Sequence, residues 1–275
     1  MIHSDIAQVA TAAADAGSAI IKRYFADLAH SQTTEKVNAG QTQGLVTAAD
    51  VEAERAIIAT IRTVFPTHQF LAEENVDGVD QQALLDAENL WVIDPLDGTN
   101  NFAHGIAHFA ISIAYYVRGV AEFGLIRNVT TGDDYVSGKG QGALVNGKIT
   151  KVSAATELNQ VMIGVGFYYD RGDMMQATLT AMGLLLRRNI HGVRRFGTAA
   201  LDLVHVGTGR FGGYFEYTLS PWDFAAGRLF VEEAGGTITT CSGDPLPLAK
   251  SSVLASNGHL HDEMLKIVSQ YKPKI

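Results

Sequence analysis

A single cysteine, Cys241, stands in 275 residues. An internal disulfide and a cysteine-based zinc site are therefore excluded, and a reducing compartment suits the chain. No stretch approaches the about 18 apolar residues that a membrane span needs. Met1-Ile2-His3-Ser4-Asp5 shows no basic segment leading into an apolar one, so no secretion signal is expected. These absences point to a cytoplasmic protein. Positive charge is also in deficit, with 21 Lys and Arg against 29 Asp and Glu and a net charge of −8. That balance argues against non-specific partnership with nucleic acid or an anionic membrane. If the substrate is an anion, a local device must attract it, and a metal ion is the simplest. Internal repeats, low-complexity tracts and Pro- or Ser-rich linkers are missing too. With 47% hydrophobic and 18% charged residues, disorder and coiled coil are excluded as the main architecture. The length suits two domains or one large one. The pattern suggests a seam near residue 150, with halves 1–150 and 151–275 packed as one unit.

The common nucleophile signatures are absent. There is no GxSxG elbow, and Cys241 has Pro247 rather than Arg six residues on. Two glycine patterns fail on context. Gly207-Thr-Gly-Arg-Phe-Gly212 fits GxGxxG but follows a helix and precedes a strand, the reverse of a dinucleotide site. Gly142 to Lys148 fits a P-loop until Ile149 takes the place of the magnesium-binding hydroxyl, and it sits in a hairpin. His104 and His108 have the spacing of a zinc pair without its glutamate, and read as structural or surface residues.

Apolar spacing indicates a helix capped by Ser4 through Phe25, a loop or short hairpin over 30–46, and a helix from Thr47 to Phe65 stopped by Pro66. Short strands follow at His68–Leu71 and Leu90–Ile93. Strand pairs then come at Phe109–Val117 with Ala121–Val129, and within Tyr135–Thr150, turning at Asn146-Gly147. The second half alternates: strands at 161–166, 193–196, 213–217, 237–240 and 253–255, and helices at 173–188, 198–206, 222–234 and 259–271. Stacked layers of helices and sheets are the expected result.

The segment richest in chemistry is Trp91-Val-Ile-Asp94-Pro-Leu-Asp97-Gly-Thr-Asn-Asn-Phe102. An apolar strand delivers Asp94 at its end, Pro95 stiffens the turn, and Asp97 returns toward the same point. Gly98 admits close backbone approach, and the following amides are free to start a helix. Two carboxylates beside a row of N–H donors suit a metal-bound phosphate, although Asp–Pro and Asp–Gly turns are also common without one. Glu73-Glu74 end another strand, where a cation would relieve their repulsion. Asp223 stands three residues after Ser220, and Asp50 three after Thr47. Each fits both a capping box and a metal or catalytic role. The set is oxygen-only, which favours Mg²⁺, Mn²⁺ or Ca²⁺ over zinc. With no nucleophilic side chain in sight, metal-activated water is the expected attacker.

These blocks resemble the inositol monophosphatase family of the lithium-sensitive, magnesium-dependent phosphatase superfamily. Asp94-Pro-Leu-Asp-Gly-Thr-Asn-Asn-Phe102 is similar to the first family signature, and Trp222-Asp-Phe-Ala-Ala-Gly227 with Glu233-Ala-Gly-Gly236 to the second. Leu45-Val-Thr-Ala-Ala-Asp50, Ala72-Glu-Glu74 and Gly197-Thr-Ala-Ala200 match three further blocks in order. The resemblance implies an α+β layered sandwich, α-β-α-β-α, often a homodimer. It implies a first Mg²⁺ held by Glu73, Asp94 and the Leu96 carbonyl, and a second held by Asp94, Asp97 and Asp223. A weaker third ion would meet Glu73, and Mn²⁺ would substitute. Thr99 paired with Asp50 would orient the attacking water, with Glu73 also in the catalytic set. The Gly98 and Thr99 amides would bind phosphate, and Gly197, Thr198, Ala199 and Glu216 would contact the polyol beside Asp97 and Asp223. The implied activity is hydrolysis of inositol 1-phosphate or a related polyol or sugar monophosphate. Alternatives are a histidinol-phosphatase, a fructose-1,6-bisphosphatase, a 3′-phosphonucleotide phosphatase, or a non-catalytic scaffold on the same fold. Ala72 replaces a usual glycine, which matters only if its φ is positive. Arg194 is expected to pair with an acid inside the layers or at a subunit contact. Arg195 and the variable 167–171 loop bear on substrate preference.

Overall fold

The computed structural model describes residues 4–26, 33–38, 41–75, 84 and 87–270. Helix α1 (Ser4–Ala26) packs along α2 (Ala48–Val64), and β1 (Thr33–Asn38) pairs antiparallel with β2 (Gln41–Thr47) between them. The expected caps Ser4 and Thr47, and the expected helix end at Tyr271, lie outside the described side chains and residues.

A seven-stranded sheet holds β3 (Gln69–Ala72), β4 (Leu90–Asp97), β5 (Ala110–Val117), β6 (Val120–Asn128), β7 (Asp133–Gly138), β8 (Gly142–Val145) and β9 (Lys148–Thr150) in chain order. Only β3 and β4 are parallel. The short helix α3 (Thr99–Ala103) follows β4 directly. Tyr135–Thr150 contains three strands rather than the expected pair. Gly140 and Gly142, both at positive φ, turn the chain once before Asn146-Gly147 turns it again. A run rich in glycine hides its first turn because no Asn-Gly or Asp-Gly marks it.

The second sheet has five strands in the order β11 (Gly192–Arg194), β10 (Met162–Val165), β12 (Gly213–Leu219), β14 (Ser251–Ser256) and β13 (Thr237–Thr239). Four helices accompany it: α4 (Asp173–Leu186), α5 (Ala199–Gly207), α6 (Pro221–Glu233) and α7 (His261–Val268).

Strand alternation assigns the layers. On β4, Trp91 and Ile93 face α1 and α2, packing with Ile57, Ile61 and Ala13, while Leu90 and Val92 face Leu201 and Val204 of α5 and Ala225 and Phe230 of α6. On β12, Phe215 and Tyr217 face α4 and α7, while Tyr214 and Leu219 face the other side of α5 and α6 through Leu203 and Phe224. The order is therefore helices, sheet, helices, sheet, helices. The α5–α6 layer is buried from both sides, and it is this layer that ends at the site.

Candidate active site

Two strands aim carboxylates into the middle layer, β4 with the help of a bulge and β12 by plain alternation. Asp94 pairs with Ser112 and Asp97 with Ala110, so two residues of β4 oppose one of β5 between them. Residues three apart on a regular strand face opposite sides, but the extra residue returns Asp97 to the side of Asp94. Both point toward α5 and α6. On the facing sheet, β12 carries a similar irregularity between Glu216, paired with Val253, and Leu219, paired with Ser251. Glu216 precedes that irregularity and shares the face of Tyr214 by plain alternation, so it looks back across the middle layer.

The helices stop short and leave a cleft of about 660 Å³ between the sheets. Of the expected metal, catalytic and substrate residues, all but Asp50 line it: Glu73, Asp94, Leu96, Asp97, Gly98, Thr99, Gly197, Thr198, Ala199, Glu216 and Asp223. Asp50 is buried at 2% exposure in the first turn of α2. Asp94 accepts from the Leu96 amide at 3.0 Å, which closes the turn around Pro95, and Thr99 Oγ1 donates to the Leu96 carbonyl at 3.0 Å. Gly98 has φ near +100° and caps α3. A Cβ there would stand 2.8 Å from Thr198 Oγ1, so glycine is required by conformation and by space.

Asp97 Oδ2 accepts from the Ala200 amide at 2.7 Å, at the N-terminus of α5. Asp223 completes a capping box on α6: its Oδ2 accepts from the Ser220 amide at 2.7 Å while the Ser220 side chain accepts from the Asp223 amide, with Pro221 opening the helix. Asp223 is therefore a cap that also lines the cleft. Glu73 follows β3 in a single 3₁₀ turn held from beneath. The Glu74 amide donates to Glu54 Oε2 at 2.7 Å, and Glu54 is fully buried in α2.

The acids disturb one another. Burial pushes the Asp94 carboxyl well up, and Glu73, Asp97 and Asp223 push it further. Burial likewise lifts Asp97 to about 8 and Glu216 to about 7, and raises Asp223 beside Asp97. The Tyr214 hydroxyl, donating to Glu216 Oε2 at 2.7 Å, and the Arg195 guanidinium oppose the rise at Glu216. Asp202 in α5 adds a further buried carboxyl, raised by burial and by Asp97 and Glu216, with Oδ1 lacking a hydrogen-bond partner. Such a crowd of carboxylates is costly without a cation. Its oxygen-only donors fit a hard divalent ion. Among the described residues no three His, Cys, Asp or Glu side chains converge as a group that could by itself hold a metal. An ion here would fill its shell with the Leu96 carbonyl and water, as Mg²⁺ commonly does.

The pattern of the inositol monophosphatase family matches residues 3–272. The chain belongs to this family. Nus factor SuhB of Escherichia coli strain K12 is 36% identical over 258 residues, covering 92% of this chain and 91% of that protein. The inositol monophosphatase of Anabaena (Nostoc) sp. PCC 7120 is 37% identical, with a TM-score of 0.82 over 98% of each chain. An IMPase/NADP phosphatase solved with NADP and Ca²⁺ gives a TM-score of 0.83 at 25% identity over 96% of this chain and 95% of that one. The family is generally magnesium-dependent, and the layered α+β sandwich is its fold.

The structure refines several expectations. Ala72 is absent from the positive-φ residues, so the missing glycine is harmless. Arg194 is exposed and donates to the Val193 carbonyl at 3.0 Å, with no acidic partner among the described residues. No acid inside the layers pairs with it, because β11 is an edge strand and turns the side chain outward, where a subunit contact would have to supply the partner. Arg195 instead lines the cleft, its guanidinium lying over Gly197, where a Cβ would stand too close to it. His104 is exposed, and His108 packs at a tilt against Phe196 at 5.0 Å and is not among the residues lining the cleft. Sequence reading missed Glu54, Asp202 and Lys250. Only Glu54 left a signal, four residues after Asp50 on the same face of α2.

The role of Asp50 can be read directly. If it orients Thr99, Asp50→Asn should lower turnover by about 10²-fold with the melting temperature nearly unchanged. A purely helical role would instead cost about 1 kcal/mol of stability and leave turnover intact. Steady-state rates and thermal melts on the same preparation separate the two.

Proposed function

We propose that the chain is a Mg²⁺-dependent phosphomonoester hydrolase acting on inositol monophosphate or a related polyol or sugar monophosphate. The observation that carries this reading is that Asp94, Asp97, Glu73 and Asp223 line one cleft beside the Gly98-Thr99 turn at the start of α3. Glu73, Asp94, Asp97, Asp223 and the Leu96 carbonyl would hold two or three ions, with Mn²⁺ able to substitute. When bound, the ions supply a nucleophilic water and charge stabilisation at the phosphoryl oxygens. The chain does the rest. The Gly98 and Thr99 amides bind the phosphate, and the Thr99 hydroxyl, positioned through Asp50, orients the attacking water.

The leaving group lies toward Glu216, with Gly197, Thr198 and Ala199 beside it. The Glu216 carboxylate, held by Tyr214, accepts hydrogen bonds from vicinal hydroxyls and disfavours a second phosphate at that end. Gly166 makes room for it. A Cβ at Gly166 would overlap the Glu216 carboxylate and stand 2.8 Å from the Tyr214 hydroxyl. Both Glu216→Gln and Gly166→Ala should therefore cut kcat/KM for inositol 1-phosphate by about tenfold, one by chemistry and the other by displacement. Phosphate release from inositol 1-phosphate, fructose 1,6-bisphosphate, histidinol phosphate and 3′-phosphoadenosine 5′-phosphate tests the assignment. A tenfold preference for any of the last three would overturn it. Lithium at millimolar concentration should inhibit.

A second reading has its own support. The Escherichia coli relative carries the name Nus factor SuhB, so a regulatory role on this fold, with or without turnover, is the alternative. Homodimer formation, as the family resemblance implies, is part of the proposal and is read by sedimentation.

A further inference from the structure

Strands β10 and β12 run parallel and bring their carboxyl ends to the cleft, while β14 runs antiparallel and brings its amino end. Tyr168, just past β10, and Lys250, immediately before β14, consequently flank the end of β12. They meet there. The Lys250 ammonium donates to the Tyr168 hydroxyl at 3.0 Å and sits 4.8 Å from the centroid of the same ring. Tyr169 packs edge-on against Tyr168 at 5.7 Å and accepts from Asn100 Nδ2 at 3.1 Å. A row of side chains thus crosses the cleft mouth from β14 to the first turn of α3, beside the Gly98-Thr99 amides.

Lys250 lines a cleft crowded with acids, yet among the described residues no carboxylate lies within ion-pairing distance of it. Its charge is felt at Asp223, whose carboxyl it helps to hold down. A phenol oxygen and a ring face are weak partners for an ammonium compared with an oxyanion. The side chain is exposed, and a lysine stem swings at little cost. We propose that Lys250 is an anion receptor at the cleft mouth, leaving the Tyr168 hydroxyl to take an anionic oxygen of a bound phosphate ester. Neither of the two family signatures nor the three further blocks contains this lysine. It would give this chain a positive charge for the phosphate that does not depend on loading metal. The ligand oxygen belongs either to the phosphate being cleaved or to a second phosphate on the leaving group.

The inference rests on the phosphatase reading, and its test keeps the two apart. Lys250→Met retains the stem against Tyr168 and removes the charge, whereas Lys250→Arg keeps the charge. With Mg²⁺ present, KM and kcat are measured for inositol 1-phosphate and fructose 1,6-bisphosphate at low and high salt, with the Kd of inorganic phosphate measured by calorimetry. Lys250→Met should raise KM about fivefold to tenfold with kcat within about twofold, flatten the salt dependence, and be rescued by Arg. An equal rise for both esters assigns the receptor to the cleaved phosphate, and a rise for the bisphosphate alone assigns it to the second. Unchanged KM for both esters with unchanged phosphate Kd overturns the proposal. If the wild type releases no phosphate from any ester, the phosphatase reading fails. The calorimetric arm then decides alone: a weaker phosphate Kd in Lys250→Met supports the receptor, and an equal one refutes it.

Discussion

Asp94→Asn should abolish phosphate release, by about 10³-fold or more, in a protein that still folds. Asp94 is 1% exposed near the end of β4, where the bulge brings Asp97 back to its side. It is the one carboxylate that the first and second proposed ligand sets share, so its loss disturbs both of those ions. The fold should tolerate the change because the amide keeps the shape, and an Asn oxygen can still accept from the Leu96 amide. The metal-free protein should melt no lower than wild type, since the substitution removes a buried charge that its neighbours oppose. Circular dichroism melts and phosphate release, measured together, check both halves. Turnover within tenfold of wild type would remove Asp94 from the chemistry.

Magnesium should raise the melting temperature, and more at pH 8.5 than at pH 7. A carboxyl whose folded pKa is raised, as Asp97 is to about 8, keeps its proton in the folded state after the unfolded chain has lost it. The folded protein then binds more protons, and stability falls as pH climbs through the folded value. Between pH 7 and 8.5 the metal-free protein should lose about 1 kcal/mol for one such group, about 2–4 °C. The buried histidines do not mask this. His68, His108, His205 and His261 are all pushed down by burial, so their contribution lies at more acid pH. A bound cation removes the cause, because it favours the ionised carboxylates. Magnesium at about a hundred times its Kd should add about 2.7 kcal/mol, or about 5–10 °C, with the increment largest where the carboxylates are already ionised. Scanning calorimetry at the two pH values, with and without Mg²⁺, makes the comparison. Equal melting temperatures with and without Mg²⁺ at both would contradict the account.

Much of this was legible because the decisive features are local. The strand into Asp94-Pro-Leu-Asp97-Gly announces its own turn through residue types alone, and Ser220-Pro221 with Asp223 announces a helix start. Apolar spacing found α1 and α2 to within a residue at each end because one side of each packs on one sheet. What escaped depends on how distant segments approach. That Asp94 and Asp97 meet is expected from the turn, but the means, a bulge against β5, depends on the partner strand. Glu54 matters because the Glu73-Glu74 turn settles over α2. Arg194 and Arg195 are neighbours of one type with opposite fates, decided by the positive φ at Gly197 and an edge strand. Lys250 meets Tyr168 only because β14 is antiparallel to β12.

The central claim is that this cleft hydrolyses a phosphate ester only when a divalent cation occupies it. The direct measurement is phosphate release from inositol 1-phosphate by protein stripped of metal with a chelator and then titrated with Mg²⁺. The account predicts no release after stripping and a saturable return with added Mg²⁺. Full release from the stripped protein would contradict it.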